Sequence, residues 1–185
     1  MMKHIAPEGL QLCKIEKTKI EPQRGDTLRN VMANTYTQLL VQIIFAVKGR
    51  QNLITETHRE KIEKYICGII THKKCKPLAI YCNPDHCHIL IGVHPAYSIS
   101  ELARDIKAGS SKYINENKWI RGKFEWQEGY GAFTYSRSQL NVVVRYILNQ
   151  PIHHRKKTFR EEYIEFLELY QVDYHKNYVF DFMDE

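Results

Sequence analysis

The sequence predicts an α+β fold: a ferredoxin-like, split βαβ antiparallel sheet with helices on one face, followed by a C-terminal helix. Three observations predict it. The apolar residues switch between period 2 and period 3.6 in the order β-α-β-β-α-β-α. Two short apolar runs are separated only by Asn83, Pro84 and Asp85, a turn trio that makes them a hairpin. Two boxes, Ser98 with Glu101 and Thr158 with Glu161, mark helix starts.

In chain order, residues 1–31 carry scattered charges, Pro7, Pro22 and Gly25 with no sustained period, and read as an extension. Met32 opens the segment where the folded domain is expected to begin, so a chain starting there is expected to keep its stability. "TYTQLLVQIIFAVKGR" (35–50) alternates and is rich in β-branched and aromatic residues, a strand signal. From Thr57 to about His72, Ile62, Tyr65, Ile66, Ile69 and Ile70 recur at helical spacing. "CKPLAIYC" (75–82) and "HCHILIGV" (86–93) are the hairpin strands, and Ile99, Leu102, Ile106 and Tyr113 continue a capped helix to about Asn117. "GAFTYS" (131–136) alternates briefly as a strand. "SQLNVVVRYILNQP" then opens a helix with Ser138 as N-cap and with Leu140, Val143, Val144 and Ile147 as its apolar stripe; Pro151 stops it at Gln150. The final helix carries Phe159, Tyr163, Phe166, Leu167 and Tyr170. This gives an extension (1–31), a catalytic-domain candidate (32–152) and a C-terminal basic segment with its helix (153–185).

Composition narrows the class. Hydrophobic content of 43% over 185 residues is enough for a real core. The longest apolar stretch, Leu39 to Val47, is too short to span a bilayer, and the N-terminus lacks the pattern of a secretory signal, so a cytoplasmic protein is expected. The five cysteines lack C-x-x-C spacing, which argues against a zinc ribbon or a disulfide framework and for reduced, small hydrophobes. A net charge of +6 favours an anionic partner.

The chemistry centres on "NPDHCHILIG" (83–92). Alternate strand residues leave on one face, with Cα atoms roughly 6.6 Å apart, so His86 and His88 can converge on one ion while Cys87 points the other way. Two satisfied strand histidines are the plainer alternative. Asp85, beside the first histidine, is placed to orient an imidazole, as ligand histidines usually require. Tyr146 and Gln150 are four apart and read as neighbours on one helical face, presenting a phenol and an amide together.

Five blocks in order, "YTQLLVQIIFAVKGR", "NPDHCHIL", "SELARDIKAGSSKYI", "WQEGYGAF" and "VVVRYILNQ", resemble the single-tyrosine transposases of the His-hydrophobic-His endonuclease superfamily, including the REP-associated tyrosine transposases. The resemblance covers roughly residues 34–150. It implies that His86, His88 and Gln150 hold a divalent metal, Mg²⁺ or Mn²⁺, and that Tyr146 attacks DNA to give a 5′-phosphotyrosine and a free 3′-OH. It also implies single-stranded DNA with hairpins as substrate and a homodimer as the working form; the long apolar strand at 36–47 is expected to need an edge partner. Cys87 departs mildly from the larger aliphatic residue common inside the motif. A phenol with an ordinary pKa of about 10 is a poor nucleophile at neutral pH, which is why a metal is needed beside it. No phosphate-binding G-x-x-x-x-G-K-[ST] loop occurs, as expected when the phosphotyrosine itself conserves the bond.

Arg104, Lys107, Lys112 and Arg145 are candidate DNA contacts, and "HHRKK" (153–157) follows the tyrosine helix directly. Trp119, Trp126, Tyr130 and Phe133 are available to stack on bases, although core is the commoner fate of such residues. Three other readings fit the sequence less well. A non-catalytic RNA-recognition-type module shares this sheet topology, but "GYGAFTY" has Glu128 where a basic residue is expected and the wrong alternation of aromatics. A replication initiator or relaxase-type nickase of the same superfamily is disfavoured by block order. A zinc deaminase is excluded because His86 is followed by Cys87 and His88 instead of H-x-E.

Overall fold

The structure is a computed structural model that describes residues 36–175 and residue 179. The expected extension at 1–31, its boundary at Met32 and Cys13 lie outside the described residues. The elements are β1 (Leu40–Ala46), α1 (Glu56–His72), β2 (Lys76–Cys82), β3 (His86–Gly92), α2 (Ile99–Glu116), β4 (Gly131–Tyr135), α3 (Leu140–Leu148), α4 (Gln150–His153) and α5 (Phe159–Leu169). The sheet is antiparallel with order β2-β3-β1-β4, the split βαβ arrangement predicted from the order of elements.

Two local features show how sequence chemistry sets the framework. Pro77 has no N–H for a ladder, and it sits in edge strand β2 where the register with β3 shifts between Pro77 and Ala79. After β1, Gly49 adopts a φ of +63°, a conformation that costs glycine nothing, and the turn it makes brings Arg50 back against the hairpin.

Alternate residues of the central strands divide two layers. Val41, Ile43 and Phe45 of β1 and Cys87, Ile89 and Ile91 of β3 pack under α1 and α2, with Ile62, Ile66, Ile70, Leu102 and Ile106. Each such fully buried side chain contributes about 1.5–3 kcal/mol through removal of apolar surface from water. On the opposite face, Ala79 and Leu90 pack against Val143 and Ile147 of α3. Ile44, Ala46 and Phe133 pack against Phe159, Tyr163 and Leu167 of α5. The two crossover helices thus share one face as expected, and the added helices cover the other.

Four sequence expectations are corrected. The strand read over 35–50 is confined to Leu40–Ala46 and is central, flanked by β3 and β4, so it needs no edge partner; β2 and β4 are the edges. Ser138 lies inside a 3-10 turn, Arg137–Gln139, that Ser136 caps reciprocally with Gln139, and α3 starts only at Leu140. The tyrosine helix ends at Leu148, because Pro151 cannot donate to the carbonyl four residues back; Asn149 leaves helical geometry and Gln150 begins α4. Cys75, Cys82 and Cys87 are buried free thiols, whereas Cys67 is disulfide-bonded, against the expectation of reduced cysteines throughout. The boxes at Ser98/Glu101 and Thr158/Glu161 form as read.

Among the described residues no helix is long and apolar enough to cross a membrane.

Candidate metal and nucleophile centre

The hairpin places both histidines on the face covered by α3 and α5. His88 pairs with Ile44 and His86 with Ala46 across β1, while Cys87 turns into the opposite core. Both rings are buried, at 1% and 0% exposure. Burial at this level obliges each ring nitrogen to find a partner.

At Nδ1 the partners are plain. His86 Nδ1 lies 2.6 Å from Asp85 Oδ1, whose carboxylate is also held by Arg50. Burial raises the Asp85 pKa, but the His86 hydrogen bond and charge, together with Arg50, more than offset it and hold the carboxyl at about 2. Burial in turn drives His86 down to about 3, with the Asp85 hydrogen bond opposing, so the ring is neutral at physiological pH. His88 Nδ1 lies 2.9 Å from the side-chain amide of buried Gln42, which also meets the Tyr135 hydroxyl at 2.8 Å.

The Nε2 atoms converge instead on one another and on groups from the C-terminal segment, and His86 Nε2 also accepts from Asn83 Nδ2 at 2.8 Å. His154 Nε2 is 3.0 Å from His86 Nε2. Glu162, only 3% exposed, brings Oε2 to 3.4 Å from His88 Nε2 and 3.5 Å from His154 Nε2. His86, His88, His154 and Glu162 offer one ligand atom each, all within 4.8 Å of one another. His88 Nε2 and Glu162 Oε2 are buried without a hydrogen-bond partner. Such orphaned atoms, aimed at one another within a neutral-imidazole and carboxylate set, fit a divalent cation.

The same carboxylate reaches the nucleophile candidate. Glu162 Oε1 accepts a short hydrogen bond from the Tyr146 hydroxyl and another, at 2.9 Å, from Gln150 Nε2. Gln150 is fully buried and its Oε1 accepts from Asn83 at 3.2 Å. The break at Asn149 therefore still leaves Tyr146 and Gln150 side by side, joined through Glu162. Phe159, at the start of α5, stacks on the His86 ring at 3.9 Å and lies under the Arg50 guanidinium. A groove of about 710 Å³ opens beside Tyr146, with His153, Lys156 and Lys157 in its wall.

The structure brings together Asp85, His86, His88, Tyr146 and Gln150. It does not bring the basic candidates on α2 there. Arg104, Lys107 and Lys112 lie on the helix that packs across the sheet from the histidines. Lys107 donates to the carbonyls of Gln127 and Gly129, so it ties down the loop before β4. Arg104 pairs with Asp105 and Lys112 with Glu116, both largely exposed. Arg145 is exposed on α3. Of the aromatic candidates, Trp126 and Phe133 are core, Trp119 stacks on His58, and Tyr130 stays 39% exposed.

His154 and Glu162 were not singled out by sequence reasoning. His154 lies within the basic run 153–157, whose pattern is that of solvated surface. Glu162 carried a signal: it occupies the i+3 position between Phe159 and Tyr163 on the apolar stripe, where a carboxylate needs a partner.

The "Transposase IS200 like" family model matches residues 35–150. No curated protein matches the chain. Among solved structures, a protein of Deinococcus radiodurans R1 described as a transposase is 22% identical with a TM-score of 0.49, over 63% of this chain and 94% of that one. A REP-associated tyrosine transposase bound to a REP hairpin is 15% identical with a TM-score of 0.51, over 65% of this chain and 71% of that one, a likeness of fold.

Proposed function

Because the chain belongs to the IS200-like transposase family, we propose that it cuts and rejoins single-stranded DNA at hairpin-bearing element ends through a 5′-phosphotyrosine at Tyr146. The observation that carries this reading is the single buried carboxylate joining the Tyr146 hydroxyl to the histidine cluster. A nucleophile and a cation site are thereby held within one side chain of each other.

In the proposed reaction Tyr146 Oη attacks the phosphorus, forming a phosphotyrosine ester and breaking the bond to O3′. The phenol proton is released and the 3′ oxygen takes one up. Reversal, with a different 3′-OH, rejoins strands without ATP. His86 and His88, with Gln150, are the proposed holders of a divalent metal, Mg²⁺ or Mn²⁺. When bound, such an ion polarises the scissile phosphate and neutralises developing charge. Asp85 and Gln42 hold the two imidazoles in orientation. The groove at Tyr146 is lined by Lys156 and Lys157 and by Glu161 and Glu165, with Lys157 paired to Glu165, so Lys156 is the candidate contact for a strand phosphate there. Arg145 is retained as a candidate phosphate contact on the same side. Hairpin DNA is supported as substrate by the REP hairpin bound to the solved fold neighbour. A two-fold dimer belongs to the same proposal, and any strand-to-strand joining would use β2 or β4.

Incubation with labelled single strands from the genomic flanks of its own gene tests this. The wild type is expected to form a covalent adduct. Tyr146→Phe keeps the ring and should retain hairpin affinity while losing cleavage and adduct together. An adduct formed by Tyr146→Phe would move the nucleophile to another tyrosine, and transfer between two ends separates a transposase from a simple nickase.

A further inference from the structure

We propose that His154 and Glu162, contributed by the segment that follows the tyrosine helix, are ligands of the metal, which makes the centre a three-imidazole, one-carboxylate site selective for a transition-metal dication over Mg²⁺. This rests on the reading of His86 and His88 as metal ligands and revises the rest of the set: His154 and Glu162 take the place given above to Gln150.

The hydrogen bonds decide where the lone pairs point. His154 Nδ1 lies 3.0 Å from the Lys157 carbonyl, which can only accept, so Nδ1 carries the proton and Nε2 a lone pair. His86 Nδ1 faces the Asp85 carboxylate, again an acceptor, and its Nε2 lone pair faces the site. Two acceptor nitrogens therefore meet at 3.0 Å; Asn83 Nδ2 donates to His86 Nε2 at 2.8 Å, and a cation between the two rings takes over that lone pair and relieves their repulsion. Glu162 Oε2 adds a third acceptor with no donor, 3.4 and 3.5 Å from His88 and His154 Nε2. Ligands about 2.1 Å from an ion at tetrahedral angles are roughly 3.4 Å apart; three pairs here lie at 3.0, 3.4 and 3.5 Å, and all four atoms lie within 4.8 Å of one another.

His88 fits the same pattern once Gln42 presents its oxygen to Nδ1. Amide oxygen and nitrogen are interchangeable by a half-turn, and the Tyr135 hydroxyl beyond can accept as readily as donate. Each imidazole is then fixed at Nδ1 by its own partner, the outer support that metal-binding histidines require. Gln150 is turned to Asn83 and Glu162, and acts in this set by positioning Glu162. Three nitrogen donors with one carboxylate suit zinc or manganese, whereas Mg²⁺ demands oxygen ligands in near-ideal octahedral array.

The test is Mn²⁺ binding by the full-length protein, followed by electron paramagnetic resonance of the free ion and by calorimetry. Loss of an outer partner alone typically weakens metal binding about 10–100-fold, so His154→Ala and Glu162→Gln are each expected to weaken Mn²⁺ by more than about tenfold. Mg²⁺ in large excess should leave bound Mn²⁺ in place. If His86→Ala abolishes binding while His154→Ala and Glu162→Gln bind as wild type, the inference is overturned and the two-histidine reading stands. If the wild type binds no Mn²⁺, both fail. Should a variant not fold, pulsed resonance on ¹⁵N-histidine-labelled wild type decides: three histidine couplings support the proposal, and two overturn it.

Discussion

Glu63 on α1 accepts a hydrogen bond from the Cys82 amide at the base of the hairpin that carries both site histidines. Burial pushes its carboxyl from 4.5 up to about 7, against the lowering effect of that bond. Between those values the folded chain binds a proton that the unfolded chain has released. Stability from this group is therefore full below its unfolded pKa and is lost as pH rises through the folded one, with a slope of up to about 1.4 kcal/mol per pH unit. Glu63→Gln keeps an acceptor for Cys82 and cannot ionise. Its urea midpoint at pH 8 should exceed that of wild type, and the gap should close by pH 4.5; parallel curves for the two proteins would refute the assignment. At this scale the histidines and the tyrosine were readable, because strand alternation and local spacing fix where they point. His154 and Glu162 were not, since a basic run and a helical carboxylate look like solvated surface until α5 is known to lie against β1.

Elements whose ends depend on local chemistry were the legible ones: the turn trio makes its hairpin, and both Ser/Thr-x-x-Glu boxes form. The interruption at Asn149 was placed late because proline acts on the carbonyl four residues behind it as well as on its immediate neighbour. The docking of α5 had no local signature, yet it is a close one. A Cβ added at Gly131 of β4 would stand 2.7 Å from the Tyr163 hydroxyl oxygen and 2.9 Å from its ring. Gly131→Ala should therefore force α5 away from β4 and cost about 1–3 kcal/mol, as overpacking does, measured by urea unfolding. An unfolding curve superimposable on wild type would show that α5 has room to shift. Because Glu162 rides on α5, Mn²⁺ affinity should fall in the same variant.

The sheet order was expected from the sequence of elements, but the central place of β1 and the second helical layer depend on which strands and faces find each other over long separations. They give the molecule two unequal halves of one site. Gln42, His86 and His88 stand on β1 and β3, strands paired along both edges and packed on both faces. Tyr146, Gln150 and Glu162 stand on short helices, and His154 in the turn after α4; these join the sheet through their own apolar stripes and the polar contacts at the centre. Segments with fewer protected hydrogen bonds open at lower free energy than a doubly flanked strand. Amide exchange should thus be slowest in β1 and β3 and faster in α3 to α5. In rising denaturant the capacity to bind metal should vanish before the β-sheet signal does, and coincident transitions would contradict this. The candidate centre is mounted on the best-protected part of the chain and completed by a less protected one, so mild denaturation is expected to take the centre apart before the sheet.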